Sequence, residues 1–399
     1  MELYIHIPFC VRKCLYCDFL SGAYDKDTRD KYTNKIIEEI EYFGRGMQSA
    51  SLSSVYIGGG TPSWLELSSM DSICEAVYDN FRVDDDAEIT IECNPGTATK
   101  DAFKKYRDMG INRMSIGLQS ANDEELKLLG RIHDFNQFLR TYEYAREAGF
   151  FDVSVDIMTG LPYQDKKKLY YTLMKVGQLK PEHVSAYSLM IEEGTPFYDM
   201  YNFDSVKQQA GMPTEILPDE DKAYGLTKLT EEFLSDHGYH KYEISNFAKE
   251  GFEGKHNTGY WKRVPYLGVG IGAASFLRYI RGGQKEEIRT KNISDIESYL
   301  STAFDGEYDR SYGSPAWEEN DIISRKDAMA EFMYLGLRMT EGITRDEFES
   351  FFGITIESVY GPVIKELVSN GLILLSGGRI ALTELGMDVS NRVLAKFLL

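Results

Sequence analysis

Leu3-Tyr4-Ile5-His6-Ile7-Pro8-Phe9-Cys10-Val11-Arg12-Lys13-Cys14-Leu15-Tyr16-Cys17 opens the chain and decides how the rest is read. Its first five residues are β-branched, aromatic and aliphatic around one histidine, the composition of a buried strand. Cys10, Cys14 and Cys17 follow in C-x3-C-x2-C spacing and are three of only five cysteines in 399 residues. Three thiolates on one loop can hold three irons of a cubane cluster and leave the fourth iron open, unlike a closed structural shell of four ligands. The alternative is a zinc site completed by a fourth ligand such as His6, although zinc knuckles usually come in pairs and no second pair exists. Cys74 sits among apolar neighbours in a helical stretch and reads as core; Cys93 ends a strand and stays open.

Outward from this stretch, apolar β-type runs recur at 54–57, 88–92, 113–118, 152–157 and 183–188. Amphipathic helical stretches at 29–43, 67–80, 100–109, 135–148 and 167–177 lie between them. Strands apolar at their centres and alternating with helices predict a parallel sheet covered by helices. Six such units fall short of a closed eightfold barrel, so the expected fold class is α/β, a partial (three-quarter) parallel βα barrel over residues 1–195. Residues 196–315 form a less regular core extension, with a helix at 219–236, a short run at 239–243, and strands at 276–281 and 288–291 that turn through Gly282-Gly283. Residues 316–399 change to helices at 328–339, 345–351 and 359–370, a hairpin around Gly377-Gly378, and a last helix from Thr383. That order describes a mainly helical, winged-helix-like C-terminal domain. Glu357, Lys365 and Glu366 give its third helix no basic surplus, so docking or structure is expected of it rather than DNA binding.

A net charge of −19 argues against nucleic acid as the main partner, and Lys166-Lys167-Lys168 reads as a solvated helix face. No apolar run approaches a membrane span and no leader pattern precedes the first strand, so a cytoplasmic protein is expected. Few cysteines and a reducing compartment suit a thiolate-bound cluster. The 27 tyrosines and 21 phenylalanines are mostly core, but such an excess also suits a flat apolar ligand.

Further candidates stand at strand ends, where barrel chemistry collects. Gly58-Gly59-Gly60-Thr61-Pro62 follows the second strand; its backbone can approach a ligand and offer free N–H and C=O groups. Glu92 ends the third strand, and Gln119 the fourth. Arg131 can clamp a carboxylate with two parallel bonds. Asp156 is an acid inside an apolar strand, costly unless hydrogen-bonded, and a ribose could supply that bond. The glycines 268, 270 and 272 mimic a dinucleotide loop without its βαβ setting and predict close packing.

Taken together, Cys10, Cys14 and Cys17 after a first strand, with Tyr16 between the last two, resemble the radical S-adenosylmethionine superfamily. The resemblance implies a 4Fe–4S cluster on the three cysteines and S-adenosylmethionine lined by Tyr4, Tyr16, Gly59, Gly60, Thr61, Glu92, Gln119, Arg131 and Asp156. Tyr4 through Cys10, Gly58 through Pro62, Gly117-Leu118-Gln119-Ser120 and Gly160-Leu161-Pro162 narrow it to the branch containing oxygen-independent coproporphyrinogen III oxidase. The oxidase has a fourth cysteine two places after the third and an N-terminal extension. Here Cys17 is followed by Asp18-Phe19, and the strand begins almost at Met1.

Both departures resemble the sister group, the HemW haem chaperones, and so does His256-Asn257-Thr258-Gly259-Tyr260-Trp261. A histidine in a loop can ligate haem iron, and Tyr260 and Trp261 offer flat faces to a porphyrin. A capping histidine among core aromatics is the other reading, and His237 or His240 could serve as ligand instead. This resemblance implies haem as cargo, haem-accepting proteins such as respiratory enzymes as partners, transient contact with a membrane-bound acceptor, and a homodimer. Whether the chain is an enzyme stays open; the rival activity is oxidative decarboxylation of coproporphyrinogen III to protoporphyrinogen IX.

Overall fold

Alternation with period two organises the sheet, not uniform apolarity. In β1 (Glu2–Ile7), Leu3, Ile5 and Ile7 are fully buried in the main apolar core, while Glu2, Tyr4 and His6 take the opposite face. The same parity holds in β2 (Ser51–Gly59), β3 (Arg82–Cys93), β4 (Arg113–Gln119), β5 (Asp152–Thr159) and β6 (His183–Ser188). Val55, Ile57, Ile89, Ile91, Met114, Ile116, Val153, Val155 and Val184 join the apolar core. Ser54, Tyr56, Glu88, Glu92, Arg113, Ser115, Ser154, Asp156 and His183 line a polar lumen, each strand supplying it from alternate positions. The strands are therefore apolar on one face only, as suits a partial barrel with helices outside and a polar lumen inside.

The computed structural model describes residues 1–281, 284–306, 308 and 313–398; the turn expected at Gly282-Gly283 lies outside them. β1 to β6 pair in parallel and in chain order without closing. The sheet then runs on at both edges. Beyond β6 lie β7 (His240–Lys241) and β8 (Asn246–Ala248), with β8 antiparallel to β6. Beyond β1 lie β9 (Tyr266–Val269), β10 (Ala274–Arg281), β11 (Gln284–Asn292) and β12 (Trp317–Ile322), with β9 parallel to β1. Helices cover the outer face. Side-chain caps set several of their starts, as at Asp134, whose capping box with Gln137 opens the helix Phe135–Glu147.

The glycines of β9 and its turn do pack closely. A Cβ on Gly268 would lie 2.2 Å from the Ala274 carbonyl, and Gly270 at φ +96° donates its N–H to buried Glu39 at 2.8 Å. The C-terminal unit begins with the helix Arg325–Gly336, followed by Arg345–Phe352, Ile356–Ser369 and a three-stranded sheet of Ile343–Thr344, Arg379–Leu382 and Ile373–Ser376. It has its own apolar core. Arg263 ties it to the sheet, reaching Glu287 at 2.7 Å and Glu331 at 3.1 Å.

Candidate functional site

The cysteine loop leaves β1 and is fastened at several points. Cys10 N–H bonds the Gly22 carbonyl, Leu15 N–H bonds the Leu129 carbonyl, and Phe197 N–H bonds the Leu15 carbonyl. Tyr16 packs its ring against Phe197 at 6.3 Å. Above β2 to β4, a chain of donors joins two of the sulfurs. Thr61 Oγ1 donates to Cys10 Sγ at 3.5 Å and accepts from Asn94 Nδ2 at 2.6 Å. Asn94 Oδ1 accepts from Arg131 Nη2 at 2.7 Å, and Arg131 Nη1 donates to Cys14 Sγ at 3.6 Å. Arg131 also reaches the Gly117 carbonyl at 2.8 Å. Donors aimed at sulfur stabilise thiolates and suit a site that carries them deprotonated.

His6 is not free to complete a zinc shell. Its Nε2–H donates to the Leu20 carbonyl at 2.9 Å, which leaves Nδ1 to accept from the Tyr4 hydroxyl at 2.9 Å. Among the described residues, no three His, Cys, Asp or Glu side chains close around a single metal ion. Three thiols spread along one loop suit a cubane whose irons take one sulfur each.

The glycine run, Glu92, Gln119 and Asp156 border the same space. Gly59, at φ +114°, faces the His6 ring so closely that a Cβ would lie 2.7 Å from it. Glu92 accepts from Gly59 N–H at 3.0 Å and from the Tyr56 hydroxyl at 2.8 Å. Desolvation pushes its carboxyl up to about 7, with the Tyr56 bond opposing. Gln119 holds φ +67° and turns its amide toward Gly117, beside Arg131 and Asn94. Asp156 accepts from Ser115 Oγ at 3.0 Å and 3.1 Å; desolvation raises its pKa and the serine bonds lower it. Tyr4, Tyr56, Glu92, Gln119, Arg131 and Asp156 are only half-buried, so the lumen is reachable from this end. Asn94, Tyr56 and Ser115 were not singled out from the sequence. Tyr56 and Ser115 could have been found from their inward parity on β2 and β4, whereas Asn94, just past the end of β3, carries no such signal.

The second expected site lies elsewhere. Residues 255–261 form the helix Lys255–Trp261 and not a loop, and it seals the N-terminal end of the lumen. Lys255 and His256 donate their backbone N–H groups to the Glu88 carboxylate at 2.9 Å and 3.2 Å. His256 is 3% exposed, bonds Ser54 Oγ through Nδ1 at 2.8 Å and the Tyr260 hydroxyl through Nε2 at 2.9 Å, and stacks on Tyr56 at 5.1 Å. Burial holds its imidazole pKa down at about 3. Tyr260 lies between His256 and Tyr266, and Trp261 lies under the Arg338 guanidinium at 4.3 Å. Buried Asn257 Nδ2 and Trp261 Nε1 lack hydrogen-bond partners, but neither is an iron ligand. The structure brings His256, Asn257, Tyr260 and Trp261, the residues expected to contact haem, onto one short helix. In this arrangement both ring nitrogens of His256 are hydrogen-bonded, Tyr260 makes edge contacts with two rings, and Trp261 carries the Arg338 guanidinium on one face. Ser54 stands five residues before Gly59 on β2, roughly 17 Å along the strand from the cysteine end.

A profile of the radical SAM superfamily matches residues 4–175, and one of the HemN C-terminal domain matches residues 323–389. Heme chaperone HemW of Lactococcus lactis is 33% identical over 396 residues, covering 99% of this chain and 97% of that protein. The chain belongs to the HemW family. Heme chaperone HemW of Bacillus subtilis is 31% identical across 99% of the chain and 98% of its own length. HemW of Escherichia coli is 32% identical across 100% and 98%. Among solved structures, the coproporphyrinogen III oxidase HemN of Escherichia coli, a radical SAM enzyme, superposes with a TM-score of 0.81 at 22% identity, covering 100% of this chain and 89% of that one. That likeness establishes a shared fold from β1 through the C-terminal domain. No helix among the described residues is long and apolar enough to cross a membrane.

Proposed function

We propose that the chain is a cytoplasmic haem chaperone of the radical S-adenosylmethionine type, carrying haem to haem-requiring proteins, respiratory enzymes among them, with self-association part of the same reading. Cys10, Cys14 and Cys17 would hold a 4Fe–4S cluster; Arg131 and Thr61 would steady two of the sulfurs. When bound, such a cluster supplies an electron and an open iron to S-adenosylmethionine. Around that ligand, the Gly59–Thr61 backbone would face the amino acid end, Gln119 and Asp156 the ribose, and Tyr4, Tyr16, Glu92 and Arg131 the remaining contacts. The observation that carries this half of the reading is the hydrogen-bonded run from Cys10 through Thr61, Asn94 and Arg131 to Cys14. Full-length likeness to proteins named heme chaperone HemW supports the haem half.

One comparison tests it. The full chain is reconstituted with iron and sulfide without oxygen, titrated with haemin while the Soret band is followed, and separately given S-adenosylmethionine and coproporphyrinogen III. Saturable haemin binding without protoporphyrinogen formation is expected. Turnover of coproporphyrinogen without haemin binding would overturn the chaperone reading and install the decarboxylase.

A further inference from the structure

The side-chain donors on Cys10 and Cys14 are joined through one residue, Asn94, which follows directly on β3. Its backbone is clamped before its amide is used. The Asn94 N–H donates to Ser63 Oγ at 3.2 Å, and its carbonyl accepts the Thr97 hydroxyl at 2.7 Å and the Thr97 N–H at 3.2 Å. Ser63 Oγ and Thr97 Oγ1 lie 2.7 Å apart and close the clamp. Pro95 comes next and narrows the backbone angles open to Asn94.

The partners of the amide dictate which way it faces. Arg131 offers only N–H groups, so the atom 2.7 Å from its Nη2 must be the amide oxygen. The amide nitrogen is thereby turned to Thr61 Oγ1 at 2.6 Å and donates to it. Thr61 accepts there, which leaves its own O–H for Cys10 Sγ at 3.5 Å. A carboxylate in place of the amide would reverse this order. It only accepts, so it would draw the Thr61 proton to itself and away from Cys10. It would also hold the Arg131 guanidinium by charge, at the expense of the 3.6 Å contact with Cys14 Sγ. Strand β4 leaves room for the bridge: a Cβ on Gly117 would lie 3.1 Å from Arg131 Nη2 and 3.2 Å from Asn94 Oδ1.

Hydrogen bonds to the sulfurs are among the factors that set the reduction potential of an iron–sulfur cluster. Reduction adds negative charge, and a donor on sulfur favours the state that carries more of it. We infer that Asn94 is a positioning residue: it holds the Thr61 donor on Cys10 and the Arg131 donor on Cys14, and so keeps the reduction potential of a cluster on these thiolates higher than the thiolates alone would set it. This rests on the cluster half of the proposed function.

A redox titration of the full chain tests it. The protein is reconstituted with iron and sulfide without oxygen and poised electrochemically, and the reduced cluster is followed by electron paramagnetic resonance, with iron content and circular dichroism read beside it. Thr61→Val should shift the midpoint potential down, and Asn94→Asp should shift it further. The double variant should match Asn94→Asp alone, because the Thr61 hydroxyl already faces the new carboxylate. Gly117→Ala crowds the bridge without removing either partner and should give a smaller shift of the same sign. An Asn94→Asp midpoint equal to the wild type would overturn the role of Asn94, and so would shifts that simply add in the double variant, since additivity marks sites that act independently. Should Asn94→Asp take up no iron, Gly117→Ala decides, and an unshifted midpoint there would overturn the role. Each of these failures leaves the cluster reading standing. A wild type that takes up no cluster would overturn both.

Discussion

At the C-terminal ends of the strands, lumen-facing Tyr4, Tyr56, Glu92, Gln119 and Asp156 keep partial access to water; at the N-terminal ends, Glu2, Ser54, Glu88, Arg113 and His183 are between 0% and 8% exposed. Both sets sit at inward positions of the same sheet. The upper set surrounds a glycine-lined space whose donors aim at thiols. The lower set is roofed by the helix Lys255–Trp261 and works as packing. Inward parity thus makes a residue polar, and its height on the strand decides whether it can meet a ligand.

The contrast can be broken most severely at the upper end. Cys14→Ala should abolish the reconstituted cluster, with iron content and visible absorbance falling to background while the chain stays folded by circular dichroism. The next largest effect belongs to the lower end. Arg113 lies 3.8 Å from buried Glu88 and 3.5 Å from half-buried Asp152, and Arg113→Gln would leave both carboxylates without this counter-charge. Breaking such a buried cluster costs about 3–5 kcal/mol, measurable by urea unfolding. A loss near the roughly 0–1 kcal/mol of exposed pairs would mean that the lower end is wet and the contrast false.

His256→Ala removes two ring hydrogen bonds and a stacked ring. We expect about 2–4 kcal/mol of destabilisation with the iron content of the reconstituted protein unchanged. Loss of iron with full stability would place His256 at the upper chemistry after all.

Glu2 gives a gentler test. Desolvation, then the Glu88 charge, push its carboxyl from 4.5 to about 8. The folded chain therefore binds this proton more tightly than the unfolded chain. Its contribution is fully present below 4.5 and is lost as pH rises toward about 8. Glu2→Gln should flatten the fall in urea midpoint across that window; an unchanged slope would show that Glu2 is solvated. The smallest effect is that of Arg338 over Trp261, where a double-mutant cycle should return about 0.5–1 kcal/mol.

Much of this was legible in the residues. The strand at 183–188 and the helix at 67–80 lie where the pattern of apolar residues put them, since each signal is local and strongly periodic. The cysteine spacing, the glycine run and the acids at strand ends are likewise local. Asn94 escaped because nothing beside it in sequence distinguishes a loop asparagine from one bridging Thr61 and Arg131. The setting of His256 was hidden for a similar reason. Its setting depends on Ser54, 202 residues away, and on Glu88.

What the sequence determined by itself is the succession of strands and helices and the thiol-bearing loop after the first of them, because both rest on the spacing of neighbouring residues. Only the tertiary structure decided that β9 would lie parallel beside β1, that the polar faces would enclose a lumen open at one end, and that the helix Lys255–Trp261 would close the other. Those outcomes depend on pairings between residues hundreds of positions apart, where burial, not local preference, selects the partner.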